Sequence, residues 1–132
     1  MTIKRFEEIE AWQLALELTR KVYAISCNDA FSRDFALRDQ IRAAAGSSMH
    51  NIAEGFDGGS TAEFVRFLRY ALRSCTEVQS ELYVALDQKY IDQTTFENIY
   101  EHARLTRVKI GAFISYLRRS QKPPKPLNQQ NH

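Results

Sequence analysis

The chain has 132 residues, of which 44% are hydrophobic and 26% charged, and its formal net charge at pH 7 is +2. This length and composition indicate one globular domain with its own core, which excludes a two-domain protein. The N-terminus becomes acidic where a secretory signal would be apolar, and no apolar run approaches about 18 residues. We therefore expect a cytoplasmic protein without a membrane partner.

The cysteines and the common active-site motifs argue against bound metals and catalysis. Cys27 and Cys75 have neither CxxC spacing nor a nearby histidine, which predicts buried free thiols and no metal site, disulfide or cofactor. The chain contains no Glu-x-x-His pair, phosphate-binding glycine loop or Gly-x-Ser-x-Gly turn. We expect no enzymatic activity; the remaining enzymatic alternative is a pocket around Asn51, Glu54 and His50.

The small net charge conceals a strong asymmetry along the chain. Residues 1–101 contain 11 basic and 16 acidic residues, whereas residues 102–132 contain seven basic residues and no acidic residue. A basic segment of this kind favours an anionic partner such as nucleic acid.

Four long helical patterns follow one another along the chain, and we place them at residues 6–27, 33–55, 61–90 and 93–120. Polar or glycine-containing breaks separate them. The prolines of residues 122–126 end the last helix, and residues 121–132 are predicted to be a basic disordered tail. Short connections make neighbouring helices antiparallel, and alternating strand patterns are absent. The prediction is a single-domain, all-α, antiparallel up-down-up-down four-helix bundle.

The first helix is apolar over an unusually wide arc. Its predicted seam consists of Ile9, Trp12, Leu16, Thr19 and Tyr23. The residues that widen the arc to about 220° are Leu14, Leu18, Val22 and Ile25. Because a bundle core uses about half of such an arc, either the flanks pack on both neighbouring helices or the arc includes a subunit interface. The sequence leaves both alternatives open.

The other three helices have seams at three- and four-residue spacing, which is typical of packed helices. The second seam consists of Leu37, Ile41, Ala44, Ala45, Ser48 and Ile52. The third seam consists of Phe64, Leu68, Ala71, Cys75, Val78, Leu82 and Ala85, with Lys89 at its end. The fourth seam consists of Phe96, Ile99, Ala103, Thr106, Ile110, Phe113 and Leu117.

Specific residues are predicted to begin and end these helices. Gly55 is placed to close the second helix in a left-handed conformation. Ser60 is the predicted N-cap of the third helix, with Glu63 completing a capping box. Asp92 is the predicted N-cap of the fourth helix.

Two groups of arginines are candidate RNA contacts. One lies opposite the seam of the third helix and consists of Arg66, Arg69 and Arg73. The other, on and after the last helix, consists of Arg104, Arg107, Arg118, Arg119 and Lys122, with Tyr100 and Tyr116 predicted on the same stripe. Guanidinium groups bind phosphates and tyrosines stack on bases. The alternative is an ordinary charged exterior in which Glu10 and Glu17 pair with these arginines.

A family resemblance is carried by Asn51-Ile52-Ala53-Glu54-Gly55-Phe56, Gly59-Ser60 and Glu63-Phe64-x-Arg66-Phe67-Leu68. This string closely resembles the family of small bacterial proteins encoded by intervening sequences in 23S rRNA genes. Gln40-Ile41-Arg42-Ala43-Ala44 resembles the second helix of that family, and Ser74 with Glu77 resembles its third. The resemblance spans about residues 6–118.

The resemblance implies a four-helix bundle that assembles as a ring-like homopentamer and has no enzymatic activity. It also implies a relationship to accessory proteins of retroelement reverse transcriptases, which bind RNA. Together with the basic surface, it predicts a homo-oligomer that binds RNA or a nucleic-acid enzyme. The alternative is a protein-interaction scaffold whose arginines pair across subunits, without nucleic-acid binding.

We interpret the motif residues as structural. Asn51 is unfavourable in the middle of a helix and Glu54 lies one turn away, so we expect inward polar contacts from both. Arg66 or Arg42 is expected to neutralise Glu54. The other motif residues given a structural role are Gly55, Ser60, Glu63 and Glu77.

Overall fold

The protein is described by a computed structural model that covers residues 2–121, in which the regular elements are all helical. A 3₁₀ turn at Phe6–Glu8 precedes α1 (Glu10–Ile25), α2 (Asp29–Arg33), α3 (Phe35–Asp57), α4 (Thr61–Asp87) and α5 (Gln93–Gln121). The four long helices pack in the order α1, α3, α4 and α5, and α5 returns to α1. The predicted four-helix bundle is confirmed. The predicted tail, including Lys122, lies outside the described residues from position 122 onward.

The predicted seams of the last three long helices form most of the core. Lys89, at the end of the seam predicted for α4, lies beyond that helix and is exposed, but every other seam residue predicted in α3 and α4 is buried. The same is true of α5 except at Phe113, which is half-buried, whereas the neighbouring Ile114 is buried. The alternating spacing of three and four residues therefore identified the packing faces of these helices. No helix within the described range has an apolar stretch long enough to cross a membrane.

The predicted N-caps are present. Ser60 Oγ accepts a hydrogen bond from the Glu63 backbone N–H at 3.1 Å, and Asp92 Oδ1 accepts one from the Thr95 N–H at 2.8 Å. The pKa of Asp92 is lowered because this bond stabilises its charged form. The Glu63 carboxylate binds Arg66 instead of returning to the backbone at the cap, so only half of the capping box forms.

The buried stripe of α1 differs from the prediction. Its buried members are Ala11, Ala15, Leu18 and Val22. The larger side chains of the predicted seam lie on the flanks: Trp12, Leu16 and Thr19 are half-buried, and Tyr23 is 47% exposed. Alanines at the centre of the contact allow the neighbouring backbones to approach closely, which leaves the bulky residues at its edges.

The wide apolar arc of α1 is shared between its two neighbours. Towards α3, Thr19 Oγ1 lies 3.0 Å from the Ala45 carbonyl oxygen. Towards α5, His102 Nε2 donates to the Leu14 carbonyl oxygen at 2.9 Å, and Lys21 Nζ lies 3.2 Å from His102 Nδ1. The alternative of packing on both neighbours therefore accounts for this arc. Most large apolar side chains that remain exposed lie on α4 and α5.

Two chain connections differ from the prediction. The first break contains α2, whose residue Phe31 is fully buried and stacks on Tyr90 at 5.2 Å between ring centroids. The end of α4 comes at Asp87, because Lys89 adopts a left-handed conformation with φ of 63°. The Tyr90 hydroxyl donates to Asp34 Oδ2 at 2.9 Å, so this connection is fastened to the start of α3.

Gly55 does not close α3, contrary to the prediction. The helix continues to Asp57, and the left-handed glycine is Gly59, with φ of 89°. Gly55 is buried where α3 crosses α4: a Cβ atom there would lie 2.8 Å from Phe67 Cβ and 2.9 Å from Phe64 Cδ1. Glycine is therefore required at this position by close packing instead of by backbone conformation.

The prediction of two buried thiols is wrong for one cysteine. Cys27 follows the end of α1 and is exposed. Cys75 lies in the seam of α4, where burial raises its pKa to about 12. Cys75 therefore remains a neutral thiol at neutral pH and acts as an apolar packing group.

We predict that Gly55→Ala destabilises the bundle by about 1 to 3 kcal/mol, because the added methyl group overlaps two side chains of α4. Urea unfolding followed by helical circular dichroism measures this change. Gly111→Ala is the matched control: a Cβ at Gly111 meets nothing within 4 Å, so this variant gains about 0.5 to 1 kcal/mol from helix propensity. Equal effects of the two substitutions would contradict the packing described for Gly55.

Candidate nucleic-acid interface

The three arginines of α4 are exposed but differ in their partners. Arg66 donates to both carboxylate oxygens of Glu63, at 2.9 and 2.6 Å, and to the Tyr70 hydroxyl at 2.9 Å. The bond to Arg66 lowers the pKa of Glu63. Within the described part of the chain, the side chains of Arg69 and Arg73 make no hydrogen bond or ion pair. These two guanidinium groups are the ones available to an external anion.

The arginines of α5 are also exposed. Arg104 Nε lies 2.8 and 2.9 Å from the two Glu101 carboxylate oxygens, and Arg107 Nη1 lies 3.4 Å from Gln79 Oε1. The acidic residues of α1 pair elsewhere: Glu10 Oε1 lies 3.5 Å from Lys109 Nζ and Glu17 pairs with Arg20. The alternative in which Glu10 and Glu17 neutralise the arginines of α4 and α5 is therefore wrong.

The antiparallel register of α4 and α5 brings arginines of both helices together. Phe64 contacts Phe113 at 5.4 Å between centroids, and Gln79 Nε2 lies 3.5 Å from the Tyr100 carbonyl oxygen. Counting from these contacts places Arg73 at about the height of Arg104. We define the arginine face as the outer surface of these two helices that carries Arg69, Arg73, Arg104 and Arg107.

Two predicted contacts lie away from this group. Arg118 and Arg119 follow Arg104 by 14 and 15 residues of helix, so they lie about 21 Å or more farther along α5 at 1.5 Å per residue. Both are exposed. They extend the basic surface towards the end of α5 without joining the arginine face.

Aromatic side chains border the arginine face where α4 meets α5. The Tyr100 ring lies 5.3 Å from Phe96 and 5.7 Å from Tyr83, which is 55% exposed. Tyr83 was not among the predicted contacts, although it lies four residues after Gln79, on the flank of α4 that faces α5. Tyr116 instead stacks on Phe113 at 6.1 Å. At about 100° per residue it lies on the opposite flank of α5 from Tyr100, so the predicted common stripe is wrong.

A second polar surface lies along the boundary between α3 and α4. Asn51 Nδ2 donates to the Ser47 carbonyl oxygen at 2.8 Å and to Ser47 Oγ at 2.9 Å. Ser47 Oγ in turn lies 3.1 Å from Ser74 Oγ, which links the two helices. We define the motif face as the surface along this boundary that carries Gln40, Ser47, Asn51, Glu54, Ser74, Glu77 and Glu81.

Glu54 does not make the expected inward contact. It is exposed, and neither expected arginine neutralises it, because each has a closer partner. Arg66 binds Glu63, whereas Arg42 Nε donates to Ser26 Oγ at 2.7 Å. Glu54 therefore adds an uncompensated negative charge to the motif face.

Glu81 is the most unusual residue of the motif face. It lies seven residues after Ser74, on the same side of α4, and only 8% of it is exposed. Its Oε1 atom is buried, and among the described residues it has no hydrogen-bond partner. Burial, which is the larger effect, and the charge and hydrogen bonding of the adjacent Glu77 carboxyl group together raise the pKa of Glu81 to about 7. Glu81 was not among the predicted site residues, although its spacing of seven residues from Ser74 places it beside α3.

Between residues 2 and 121 the structure contains no group of three His, Cys, Asp or Glu side chains placed to hold a metal ion. The guanidinium groups of the arginine face can bind anions. The carboxylates of the motif face can bind positively charged groups. The motif face contains residues of the family resemblance, among them Asn51, Glu54, Ser74 and Glu77, whereas the four arginines of the arginine face lie outside the residues that carry it.

Comparison with known proteins identifies the family. Residues 7–112 match the 23S rRNA-intervening sequence proteins. The chain belongs to this family. Its fold is similar to the crystal structure of a protein of unknown function from the S23 ribosomal protein family of Bacteroides thetaiotaomicron. The TM-score is 0.72 and the identity 22%, over 79% of this chain and 97% of that chain. Among curated proteins, none matches the chain.

In this intervening sequence protein, we predict that Glu81→Gln becomes progressively more stable than the wild type as pH rises from about 4.5 to about 7. The folded-state pKa is raised above its ordinary value, so the folded protein binds an extra proton in this window and loses stability as the proton leaves. The gain is about 1 to 2 kcal/mol at pH 8. Chemical unfolding of dilute protein from pH 4 to 8 measures it.

The control for this series is Glu97→Gln, which removes an exposed carboxylate from α5. Because that carboxylate is exposed, we expect no gain in stability comparable with that of Glu81→Gln. Equal stability differences for the two variants at every pH would show that burial of Glu81 has no effect on its ionisation.

Proposed function

We propose that this intervening sequence protein is a non-catalytic, cytoplasmic homo-oligomer that binds structured RNA or a nucleic-acid enzyme through its basic surface. The arginine face is the observation that carries the proposal. Its guanidinium groups come from two adjacent helices, and two of them, Arg69 and Arg73, have no side-chain partner in the described chain. The expected assembly is the homopentamer that the family resemblance implies.

The chemistry of the arginine face suits RNA. Arginine donates two parallel hydrogen bonds to a phosphate, and exposed tyrosines such as Tyr83 offer a surface on which unpaired bases stack. The Glu101 carboxylate already holds Arg104, but exposed pairs of this kind contribute at most about 1 kcal/mol. A phosphate can therefore replace Glu101 at little cost.

The distribution of charge also supports an anionic partner. After Glu101 the sequence contains no acidic residue, so no carboxylate of this segment repels phosphates from Arg104, Arg107 and Arg118. Repetition of the same face in an oligomer would present several basic surfaces to one RNA. Linked sites of this kind raise the apparent affinity well above that of one site.

We predict that the double variant Arg104→Glu/Arg107→Glu loses at least about tenfold in affinity for a fluorescently labelled RNA hairpin. Each arginine that neutralises a phosphate releases counterions from the RNA, and this release favours binding. When the arginine is reversed, both the contact and the release are lost. Fluorescence anisotropy at several salt concentrations measures the affinity. The slope of log affinity against log salt is expected to decrease by about 1 for each phosphate contact removed.

The matched control is Arg5→Glu/Arg20→Glu, which changes the net charge by the same amount at exposed residues away from α4 and α5. If the control weakens binding as much as the test variant, binding depends on overall charge and the arginine face is not the site. Absence of RNA binding by the wild type at low salt would overturn the proposed function.

The second candidate is a protein-interaction scaffold that binds no nucleic acid. The observation in its favour is the exposed apolar surface of α5, where Val108 is 50% exposed and Leu105 is 38% exposed. In that case, reversing Arg104 and Arg107 would change the oligomer mass in light scattering while the protein showed no affinity for RNA.

A further inference from the structure

The outward side of α5 carries a second helical seam. Its residues recur at intervals of three and four along the helix: Leu105, Val108, Ala112, Tyr116 and Arg119. All five are exposed, with exposed fractions of 38% for Leu105, 50% for Val108 and 39% for Tyr116. We call this stripe the outer seam. The inner seam of α5 packs in the bundle, whereas no helix among residues 2–121 covers the outer seam.

Apolar residues at this spacing normally mark a face that packs on another helix. Isolated apolar side chains on a surface have no such meaning, but four at consecutive turns followed by an arginine form a continuous stripe about 21 Å long at 1.5 Å per residue. The outer seam therefore has the form of one half of a helix-packing contact, with a cation at one end.

Near Glu81, the motif face has the properties that would accept the outer seam: small side chains beside an acidic residue. The contact of Ser47 with Ser74 sets the antiparallel register, which places Glu81 at the height of Gln40. The neighbouring outward residues of α3 are the small and exposed Ala36 and Ala43. Because these side chains are short, another helix can approach the backbone closely here.

The motif face lacks a hydrogen-bond donor for Glu81. A buried carboxylate oxygen without a donor costs free energy, and a positively charged donor is the group that would satisfy it. Glu77 and Glu54 on the same face add negative charge. Val84, one turn beyond Glu81, is 45% exposed and supplies an apolar contact.

We propose that the outer seam of one copy of this chain packs on the motif face of a second copy, with the Arg119 guanidinium donating to the Glu81 carboxylate. The proposal rests on the homo-oligomer proposed above and deepens it by assigning both halves of the subunit contact. Charge complementarity favours a second copy as the occupant: the outer seam belongs to the acid-free segment after Glu101, and the motif face is acidic.

This contact joins two different surfaces, so each subunit has one donor face and one acceptor face. A head-to-tail contact produces a closed ring or a filament, but not a twofold dimer. On α5, Arg107 lies about 140° and Arg104 about 80° around the helix from the middle of the outer seam, so Arg107 stays outside the contact and Arg104 lies at its edge. Assembly and RNA binding can therefore occur together.

The test is the oligomer mass of the full chain, measured by sedimentation and light scattering over a range of concentrations. We expect Glu81→Gln, Arg119→Glu and Val108→Arg each to raise the subunit dissociation constant at least about tenfold. The controls are Arg118→Glu, whose side chain lies on the flank of α5 nearer α4, and Glu97→Gln. Both controls are expected to keep the wild-type mass.

The charge swap Glu81→Arg/Arg119→Glu is expected to restore assembly that each single reversal weakens. If Glu81→Arg does not fold, as judged by circular dichroism, the comparison of Arg119→Glu with Arg118→Glu decides the question. A wild-type mass for all three test variants would overturn this contact while leaving the oligomer proposal intact.

Two further outcomes would also overturn the proposed contact. One is a wild-type protein that is monomeric at all concentrations, and the other is a twofold dimer. RNA anisotropy of Glu81→Gln and Val108→Arg, which leave every candidate RNA contact in place, tests RNA binding separately, so failure of the subunit contact and failure of RNA binding can be distinguished.

Discussion

The close packing of α3 on α4 is the constraint on which the rest of the structure depends. Gly55 allows the backbone of α3 to approach Phe64 and Phe67, and the contact between Ser47 and Ser74 continues the same register two turns further on. This register determines which polar residues meet along the boundary. It places Asn51 and Ser47 beside Ser74, and Glu81 beside a segment of α3 from which its Oε1 atom receives no hydrogen bond.

The same packing separates the charges of the chain into two surfaces. The flank of α4 that faces α3 carries Glu77 and Glu81, whereas its outer side carries Arg69 and Arg73. The register with α5 then places Arg104 near the arginines of α4. A net charge of +2 thus describes a molecule with an acidic face and a basic face, and this arrangement suits both a head-to-tail oligomer and an RNA partner.

Much of the fold could be predicted from the sequence, because the seams of α3, α4 and α5 consist of residues at regular spacing with strong caps at Ser60 and Asp92. The prediction failed in α1, where small side chains are buried and larger ones lie at the edges of the contact. In α1 the buried residues include Ala11 and Ala15, which hydrophobic periodicity ranks below larger neighbours. The role of Gly55 could not be read locally, because it depends on side chains of another helix.

Less of the candidate site could be predicted. The arginines were identifiable by residue type, but the sequence could not show that Arg66 binds Glu63 and leaves Glu54 exposed, since several acceptors lay within reach of one long side chain.

The most direct measurement of RNA binding at the arginine face is cross-linking of a thiouridine-labelled RNA to the protein, mapped by mass spectrometry. We expect cross-links at Tyr83 and Tyr100, which border the arginine face. Cross-links confined to the opposite side, at Tyr23, or none at all, would contradict it.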